Sequence, residues 1–384
     1  MRVFISVGEA SGDMHAAAVV RALKERVAGI GIHGVAGPAM VAAGCNPLYP
    51  MSELNVMGIG DVVRAWPRIR RLEQDVLSWA AAERPDAAVL VDFPGFHMRL
   101  GTKLRRLGIP VIQYIAPKLW AWGAWRAKRL RAAQDALACI FPFEPEWFGH
   151  RGIAGRYVGN PSAYACRDGW DASGLRQRLG LPAGTPLVGL LPGSRPGELQ
   201  RHVSVLAAAW RRMMVQRPDV HAVVPVLPDT DMALLAPLLQ AERVHRIERS
   251  SEGYALRVDA AVAVSGTATL ELALWNVPSI LVYRGAPLMM ALARRLVHLP
   301  HAGLANILLG EEAMPELIQE QCTEQAIAGR LLDLLDASGE AVMRQRQQFA
   351  RLQAMLGDQN PAAGVVDIVA ALASAPGVAG ERFP

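Results

Sequence analysis

Short apolar runs alternate along this chain with stretches whose apolar positions recur every three to four residues. In the first half, Val3–Val7, Ile30–Val35, Ala87–Val91, Val111–Ile115 and Ala136–Phe141 read as strands, and His15–Val27, Arg68–Glu83 and Thr102–Leu107 as helices. Ser11-Gly12-Asp13 is a start signal for the first helix. The pattern restarts after a turn-rich segment, Gly159–Gly174, which reads as the interdomain linker. Beyond it come strands Leu187–Leu191, Ala222–Val226, Ala260–Val264 and Ser279–Val282, with helices Leu199–Gln216 and Thr269–Trp275 between them. The tail from about Ala341 to Ala373 is helical. Strand–helix alternation of this kind predicts parallel sheets covered on both faces. The expected fold is α/β: two Rossmann-like doubly wound domains with a cleft between them, the GT-B arrangement. Residues 1–165, completed by about 350–384, form the first domain and 166–349 the second.

Composition narrows the class. With 384 residues, 52% hydrophobic and 20% charged, the chain is long enough for two cores and carries no signature of disorder. A formal net charge of +5 suits phosphorylated substrates or an anionic membrane surface. No zinc spacing, RNP-like motif or Lys/Arg block argues for nucleic acid. Cys45, Cys139, Cys166 and Cys322 are scattered and form no CxxC, which reads as reduced thiols in a cytoplasmic protein. The N-terminal apolar run ends at Gly8-Glu9, too short for a signal peptide. The longest stretch without acidic or basic residues, Val27–Ser52, is interrupted by glycines and prolines and does not read as a membrane span.

Two literal motifs mislead. Gly29, Gly31 and Gly34 spell G-x-G-x-x-G, but they follow a helix and enter a strand, the reverse of a dinucleotide fingerprint. Asp229-Thr230-Asp231 spells D-x-D, yet it precedes Met232-Ala-Leu-Leu and reads better as a helix cap than as a metal site. No His/Cys/carboxylate cluster offers a better one, so neither a metal nor another cofactor is expected.

Two loops in the second half read as anion cradles. Gly193-Ser194-Arg195 follows strand Leu187–Leu191, and Ser265-Gly266-Thr267-Ala268 follows Ala260–Val264; each opens a helix. Arg195 suits a pyrophosphate oxygen and the charge that develops as a nucleotide leaves. Glu271, about one turn into the second helix, suits ribose hydroxyls. Asn306 adds a polar group, and Glu316 with Gln319, at i and i+3, would share one helix face. Each loop alone could be an ordinary turn; two in one domain at strand C-termini favour an anion site.

Read together, these segments resemble a known family. Gly8-Glu9-Ala10-Ser11-Gly12-Asp13, Gly34-Val35-Ala36-Gly37-Pro38-Ala39-Met40, Met57-Gly58, Asp92-x-Pro94-x-Phe96, Tyr114-x-x-Pro117-x-x-Trp120-Ala121-Trp122, Phe141-Pro142-Phe143-Glu144, Leu191-Pro192-Gly193-Ser194-Arg195 and Ser265–Glu271 run in the order and spacing of lipid-A-disaccharide synthases. The resemblance covers nearly the whole chain. It implies an inverting, metal-independent GT-B enzyme that moves the sugar of UDP-2,3-diacylglucosamine onto the 6-hydroxyl of 2,3-diacylglucosamine 1-phosphate. It also implies a cytoplasmic protein held peripherally at the inner membrane, and it is compatible with a homodimer. The chain departs from the pattern at Gly95 and His97, where an Asp and an Asn are usual, at Asn160 in place of His, and at Ala305 in place of Pro. These changes bear on the acceptor more than on the donor.

On that resemblance Asp92 is the candidate base, its other reading being a cap or turn residue before Pro94, and Arg195 is the group that stabilises the leaving nucleotide. Glu9, Ser11, Gly12, Asp13, His15, Met57, Trp120 and Trp122 fall on the acceptor side. His15 near a helix start is also a capping or core histidine, and His97 is a further polar group there. The acceptor needs access to a bilayer. Arg64, Arg68, Arg70 and Arg71 among Val62, Val63, Trp66, Ile69 and Leu72 would rest on anionic lipid or form a solvated helix face, and amphipathicity does not separate the two. Trp120, Trp122 and Trp125 with Lys118, Arg126, Lys128 and Arg129 form a second such patch, and Leu288–Leu299 a weaker third. The competing readings are a paralogue with another acylated acceptor, a UDP-N-acetylglucosamine 2-epimerase of the same layout, and a binding protein that has lost activity.

Overall fold

The structure is a computed structural model that describes residues 1–54, 59–167, 174–227, 230–248, 256–287, 290, 295, 297 and 299–374, without the side chains of 59–64. The chain forms two compact units: Met1–Pro161 together with the segment that begins at Asp358, and Ser162–Gly357.

The first unit holds a seven-stranded sheet in the order β3-β2-β1-β4-β5-β6-β7. Its strands are β1 Arg2–Ser6, β2 Gly31–Ala36, β3 Asn46–Pro50, β4 Ala87–Val91, β5 Val111–Tyr114, β6 Ala136–Cys139 and β7 Gly155–Tyr157. Every pairing is parallel, as β1 with β4 (Val3 opposite Ala87) and β4 with β5 (Ala88 opposite Val111). Parallel strands covered on both faces lose all contact with water, and β4 is buried at every position. Helices Ala10–Arg26 and Pro361–Ala373 pack together on one face, where Val19, Val20 and Leu23 meet Val365, Val366 and Val369. Arg26 pairs with Asp367 across that contact. On the other face Leu72, Val76 and Ala80 of helix Ile59–Glu83 pack with Phe96, Leu100 and Leu104 of helix Pro94–Arg106.

The second unit holds a six-stranded parallel sheet, β10-β9-β8-β11-β12-β13. These strands are β8 Leu187–Leu191, β9 His221–Val226, β10 Val244–Glu248, β11 Ala260–Val264, β12 Ser279–Tyr283 and β13 Glu316–Ile318. β8 and β11 are buried throughout, and Trp210 of helix Pro196–Gln216 fills the core of one face. Two doubly wound sheets with a C-terminal helix returning to the first unit make this a GT-B fold.

The structure changes several expectations. The tail is two helices, Glu340–Leu356 and Pro361–Ala373, because Gly357 turns left-handed at φ +63° and Pro361 begins the second. Helix Pro94–Arg106 starts two turns earlier than the apolar spacing indicates, on a proline whose missing N–H costs nothing at a first turn. Helix Ile59–Glu83 runs through Pro67. Glu316 and Gln319 share no helix: Glu316 pairs with Leu281 as part of β13, and Gln319 opens a single 3-10 turn at φ +55°. Gly34 answers to sheet geometry, since a Cβ there would stand 1.7 Å from the Ile5 carbonyl oxygen. Met57 and Gly58, Asp229, the middle of the linker and most of Leu288–Leu299 lie outside the described residues.

Candidate functional site

In the first unit the candidate groups gather at the C-terminal ends of β1, β4 and β5, which are neighbours in the sheet. Asp92 and Phe93 directly follow β4, and both are left-handed, at φ +50° and +49°; Ile115, just past β5, is at +66°. Such a conformation costs a side-chain-bearing residue ~1–2 kcal/mol, so the surroundings must hold it. The Asp92 amide donates to the Tyr114 carbonyl at 2.9 Å. The Asp92 carbonyl accepts from His97 Nδ1 at 2.7 Å and from Gln113 Nε2 at 3.2 Å. Phe93 in turn lies over Gly8, where a Cβ would fall 2.4 Å from its ring. The Asp92 carboxylate is half-buried and its pKa is raised, first by burial and then by Glu9; the Phe93 amide and Lys118 pull the other way. A carboxylate with a raised pKa at a strand end is a group suited to taking up a proton.

Glu9, at the turn after β1, is exposed and its charge acts on this carboxylate; Ser11 is exposed in the first turn of helix Ala10–Arg26. Gly12 and Asp13 are buried. Asp13 does not cap its own helix. Its carboxylate accepts from the amides of Gly37 (3.1 Å), Ala39 (2.8 Å) and Met40 (3.1 Å), capping the short helix Pro38–Ala42. It therefore joins two of the sequence segments to each other. His15 is half-buried, and burial lowers its pKa to about 4. His97 is fully buried against Phe93 and Phe96. Gly95 is exposed with open space around its missing Cβ, so a larger residue would fit there.

The aromatic segment divides. Trp120 packs edge-on to Phe141 and Phe143 and donates from Nε1 to Glu144 at 3.0 Å. Glu144 is fully buried, also accepts from the amides of Ile140 and Phe141, and is pushed up to about 7 by burial. Trp120 is thus a packing residue. Trp122 and Trp125 are 49% and 73% exposed, with Lys128 and Arg129 exposed nearby on the next helix.

In the second unit the candidate groups sit at the ends of β8, β11, β12 and β13, four successive strands. Gly193 is left-handed at φ +100°, and a Cβ would strike Glu198 at 2.5 Å. The Glu198 carboxylate accepts from the Ser194 amide at 3.0 Å and the Arg195 amide at 3.3 Å. Those amides are therefore taken, and what this loop offers an anion is the Arg195 guanidinium, 70% exposed. Gly266 and Thr267 are exposed at the N-terminus of helix Thr267–Leu274, and Ala268 and Glu271 are half-buried in its first turns. Ser265 Oγ donates to the Ala302 carbonyl at 3.4 Å. Glu316 accepts from the amides of Ala302 and Gly303 and from Asn306 Nδ2. Asn306, fully buried, also donates to the Met314 carbonyl and accepts from the Ala313 and Met314 amides. Gln319 Oε1 accepts from the Gly285 amide at 2.7 Å. Asn306, Glu316 and Gln319 thus shape the loops and leave Ser265, Gly266, Thr267 and Arg195 at the surface.

Sequence reasoning missed His202. Fully buried, it donates from Nδ1 to the Glu198 carbonyl at 2.7 Å and accepts at Nε2 from the Arg284 amide at 2.7 Å, linking the loops after β8 and β12. In sequence it is one polar position inside an amphipathic helix, with nothing to single it out. Among the described residues no group of three or more His, Cys, Asp or Glu could hold a metal ion.

Two Rossmann-like doubly wound sheets, with an exposed arginine at the strand ends of one and a half-buried carboxylate at those of the other, give the layout of GT-B glycosyltransferases and of the isomerases that share their fold. A solved UDP-GlcNAc 2-epimerase from Neisseria meningitidis shares the fold at TM-score 0.67, with 11% identity over 97% of this chain and 100% of that one. MurG from Acinetobacter baumannii does so at TM-score 0.58, with 16% identity over 96% and 99%. Sequence separates what the fold leaves together. A family profile described as lipid-A-disaccharide synthetase matches residues 3–363. A lipid-A-disaccharide synthase of Anaeromyxobacter sp. (strain K) is 38% identical over 362 residues, 93% of this chain and 94% of the relative. That of Pseudomonas aeruginosa is 34% identical over 345 residues, 89% and 91%. The chain belongs to the lipid-A-disaccharide synthetase family, and it is a hexosyltransferase.

Proposed function

We propose that this enzyme transfers 2,3-diacylglucosamine from UDP-2,3-diacylglucosamine to the 6-hydroxyl of 2,3-diacylglucosamine 1-phosphate, giving the β-1,6-linked disaccharide 1-phosphate and UDP. The observation that carries the reading is Asp92: a half-buried carboxylate in a braced left-handed turn, with its pKa raised by burial. Asp92 takes the proton of the 6-hydroxyl as that oxygen bonds to the anomeric carbon. The bond from that carbon to the UDP oxygen breaks on the opposite face, the configuration inverts, and the electron pair leaves with UDP. Arg195 meets the charge on the departing phosphate. Positioned proton transfer of this kind contributes ~10²–10⁴-fold. Ser265, Gly266, Thr267 and Ala268 with the helix they open bind the nucleotide phosphates, and Glu271 the ribose. Asn306, Glu316 and Gln319 support those loops, and Gly193, Ser194 and Glu198 present Arg195. Glu9, Ser11 and Trp122 face the acceptor, and His15, Asp13 and Gly12 shape its side of the unit.

No helix among the described residues is long and apolar enough to cross a membrane. The proposed lipid substrates put the enzyme peripherally at the cytoplasmic face of the inner membrane. Exposed Trp122 and Trp125 with Lys128 and Arg129 form the surface suited to an anionic headgroup layer.

Purified enzyme incubated with the UDP-lipid donor, with and without the lipid 1-phosphate acceptor, tests this by UDP release and mass spectrometry. Disaccharide formed only with acceptor, unaffected by EDTA and abolished by Asp92→Asn, supports the proposal. UDP release without acceptor, or a donor epimerised at C2, would overturn it in favour of the epimerase-like reading.

A further inference from the structure

His97 stands at the first helical turn after β4, and its imidazole is fully enclosed by Phe93, Phe96 and the end of β1. Each ring nitrogen has one partner. Nδ1 lies 2.7 Å from the Asp92 carbonyl oxygen, and Nε2 lies 2.9 Å from Ser6 Oγ. A carbonyl oxygen only accepts, so the hydrogen is on Nδ1, and the Ser6 hydroxyl donates to Nε2. Burial lowers the pKa of the ring to about 4 and keeps it in this neutral form at ordinary pH. The ring thus ties the end of β1 to the turn that carries Asp92. Gln113 donates to the same carbonyl from 3.2 Å and is shared with Tyr114, so His97 supplies the shorter bond.

We propose that His97 is a positioning residue for Asp92: its Nδ1–H holds the Asp92 carbonyl and so fixes the left-handed backbone that sets the carboxylate's direction. This rests on the reading of Asp92 as the base. Without that bond the longer Gln113 contact and the Asp92 amide's bond to Tyr114 are left to hold the unfavourable φ of two consecutive side-chain-bearing residues, and the turn shifts toward an extended conformation. The carboxylate then swings off the hydroxyl it must meet and loses the Phe93 amide that lowers its pKa.

The two nitrogens can be tested separately, because an asparagine amide reaches roughly the Nδ1 position and a glutamine amide the Nε2 position. His97→Asn keeps a donor for the Asp92 carbonyl and retains kcat within about threefold, whereas His97→Gln keeps only the Ser6 contact and loses ~30–100-fold in kcat at unchanged KM. The acid limb of the kcat/KM profile moves to higher pH in the Gln variant, with Glu9 and Lys118, the charges facing Asp92, left in place. Both variants are checked for folding by circular dichroism and for unchanged UDP affinity, and Asp92→Asn is assayed beside them. Equal losses in the Asn and Gln variants, or a Gln variant with parental kcat and pH profile, would overturn the inference while an inactive Asp92→Asn leaves the base reading intact. An active Asp92→Asn would overturn both.

Discussion

Asp13→Ala separates a brace from a ligand contact. The Asp13 carboxylate is 4% exposed and accepts three main-chain amides at 2.8 to 3.1 Å. Hydrogen bonds to a charged group contribute ~1.5–3 kcal/mol each, and truncation leaves three donors facing a hole with no acceptor. Water entering beside the part-buried Ala39 amide recovers some of this, so the expected loss is ~3–5 kcal/mol. For a unit of this size that corresponds to a melting transition lower by roughly 10 °C. Asp13→Asn, which keeps one oxygen for the Gly37 and Met40 amides, falls between the parent and the alanine variant. Thermal melts read the loss, and isothermal titration with UDP gives an unchanged affinity, because the donor loops belong to the other unit. If Asp13→Ala melts with the parent while KM for the lipid 1-phosphate rises tenfold or more, the carboxylate is a substrate contact and the reasoning from its three amides is wrong.

Three further outcomes follow from the same geometry. Gly193→Ala forces a Cβ onto Glu198 at a left-handed φ and disturbs Arg195, so UDP affinity by titration calorimetry falls ~10-fold or more, with the fold retained. Glu144 has a folded pKa of about 7 against an ordinary 4.5, so the folded state binds the proton more tightly; its contribution is fully present below about 4.5 and is lost as pH rises through 7. Urea unfolding across that window therefore shows a decline in stability that Glu144→Gln removes. Asp231, whose Oδ1 caps helix Met232–Leu239 through the Ala233 amide at 3.0 Å, costs ~1 kcal/mol on change to Ala and leaves turnover unchanged with or without EDTA.

What could be read from the sequence follows from where each element sits in its sheet. Ala87–Val91, Leu187–Leu191 and Ala260–Val264 are central strands buried on both faces, so every residue is apolar and the run ends where burial ends. The four strands that escaped notice, β3, β7, β10 and β13, are the two edges of each sheet. Edge strands are short and tolerate proline and charge, as Asn46–Pro50 with two prolines and Val244–Glu248 with His245, Arg246 and Glu248 show. The same blindness displaced Glu316 and Gln319: an i, i+3 spacing implies a shared face only if the segment is helical, and here it is an edge strand running into a turn. Asp92 and Arg195 stand where the sequence placed them, just after β4 and in the loop after β8, because the apolar runs that precede them mark central strands, and strand ends are where ligands bind in open α/β sheets. The groups that hold them, His97, Glu198 and His202, act through main-chain atoms, and no residue spacing encodes a bond to a carbonyl or an amide.

Those supporting groups follow one physical logic in both units. A loop at a strand end carries polar main-chain atoms into a region where water is scarce, and each unpaired one costs stability. A neutral imidazole satisfies a carbonyl with one nitrogen and a donor with the other, so one buried side chain can lock two segments at once. His97 does this for the Asp92 turn and the end of β1; His202 does it for the start of the helix behind Arg195 and the turn after β12. Burial lowers the pKa of both rings, which keeps one nitrogen free to accept. Protonation would turn that acceptor into a second donor. At Ser6 the hydroxyl can rotate to accept, but the Arg284 amide cannot, so acid disrupts the His202 link before the His97 link. Lowering the pH should therefore weaken UDP binding, read by titration calorimetry, while the His97 link persists, and the acceptor-dependent step falls separately as Asp92 takes up its proton.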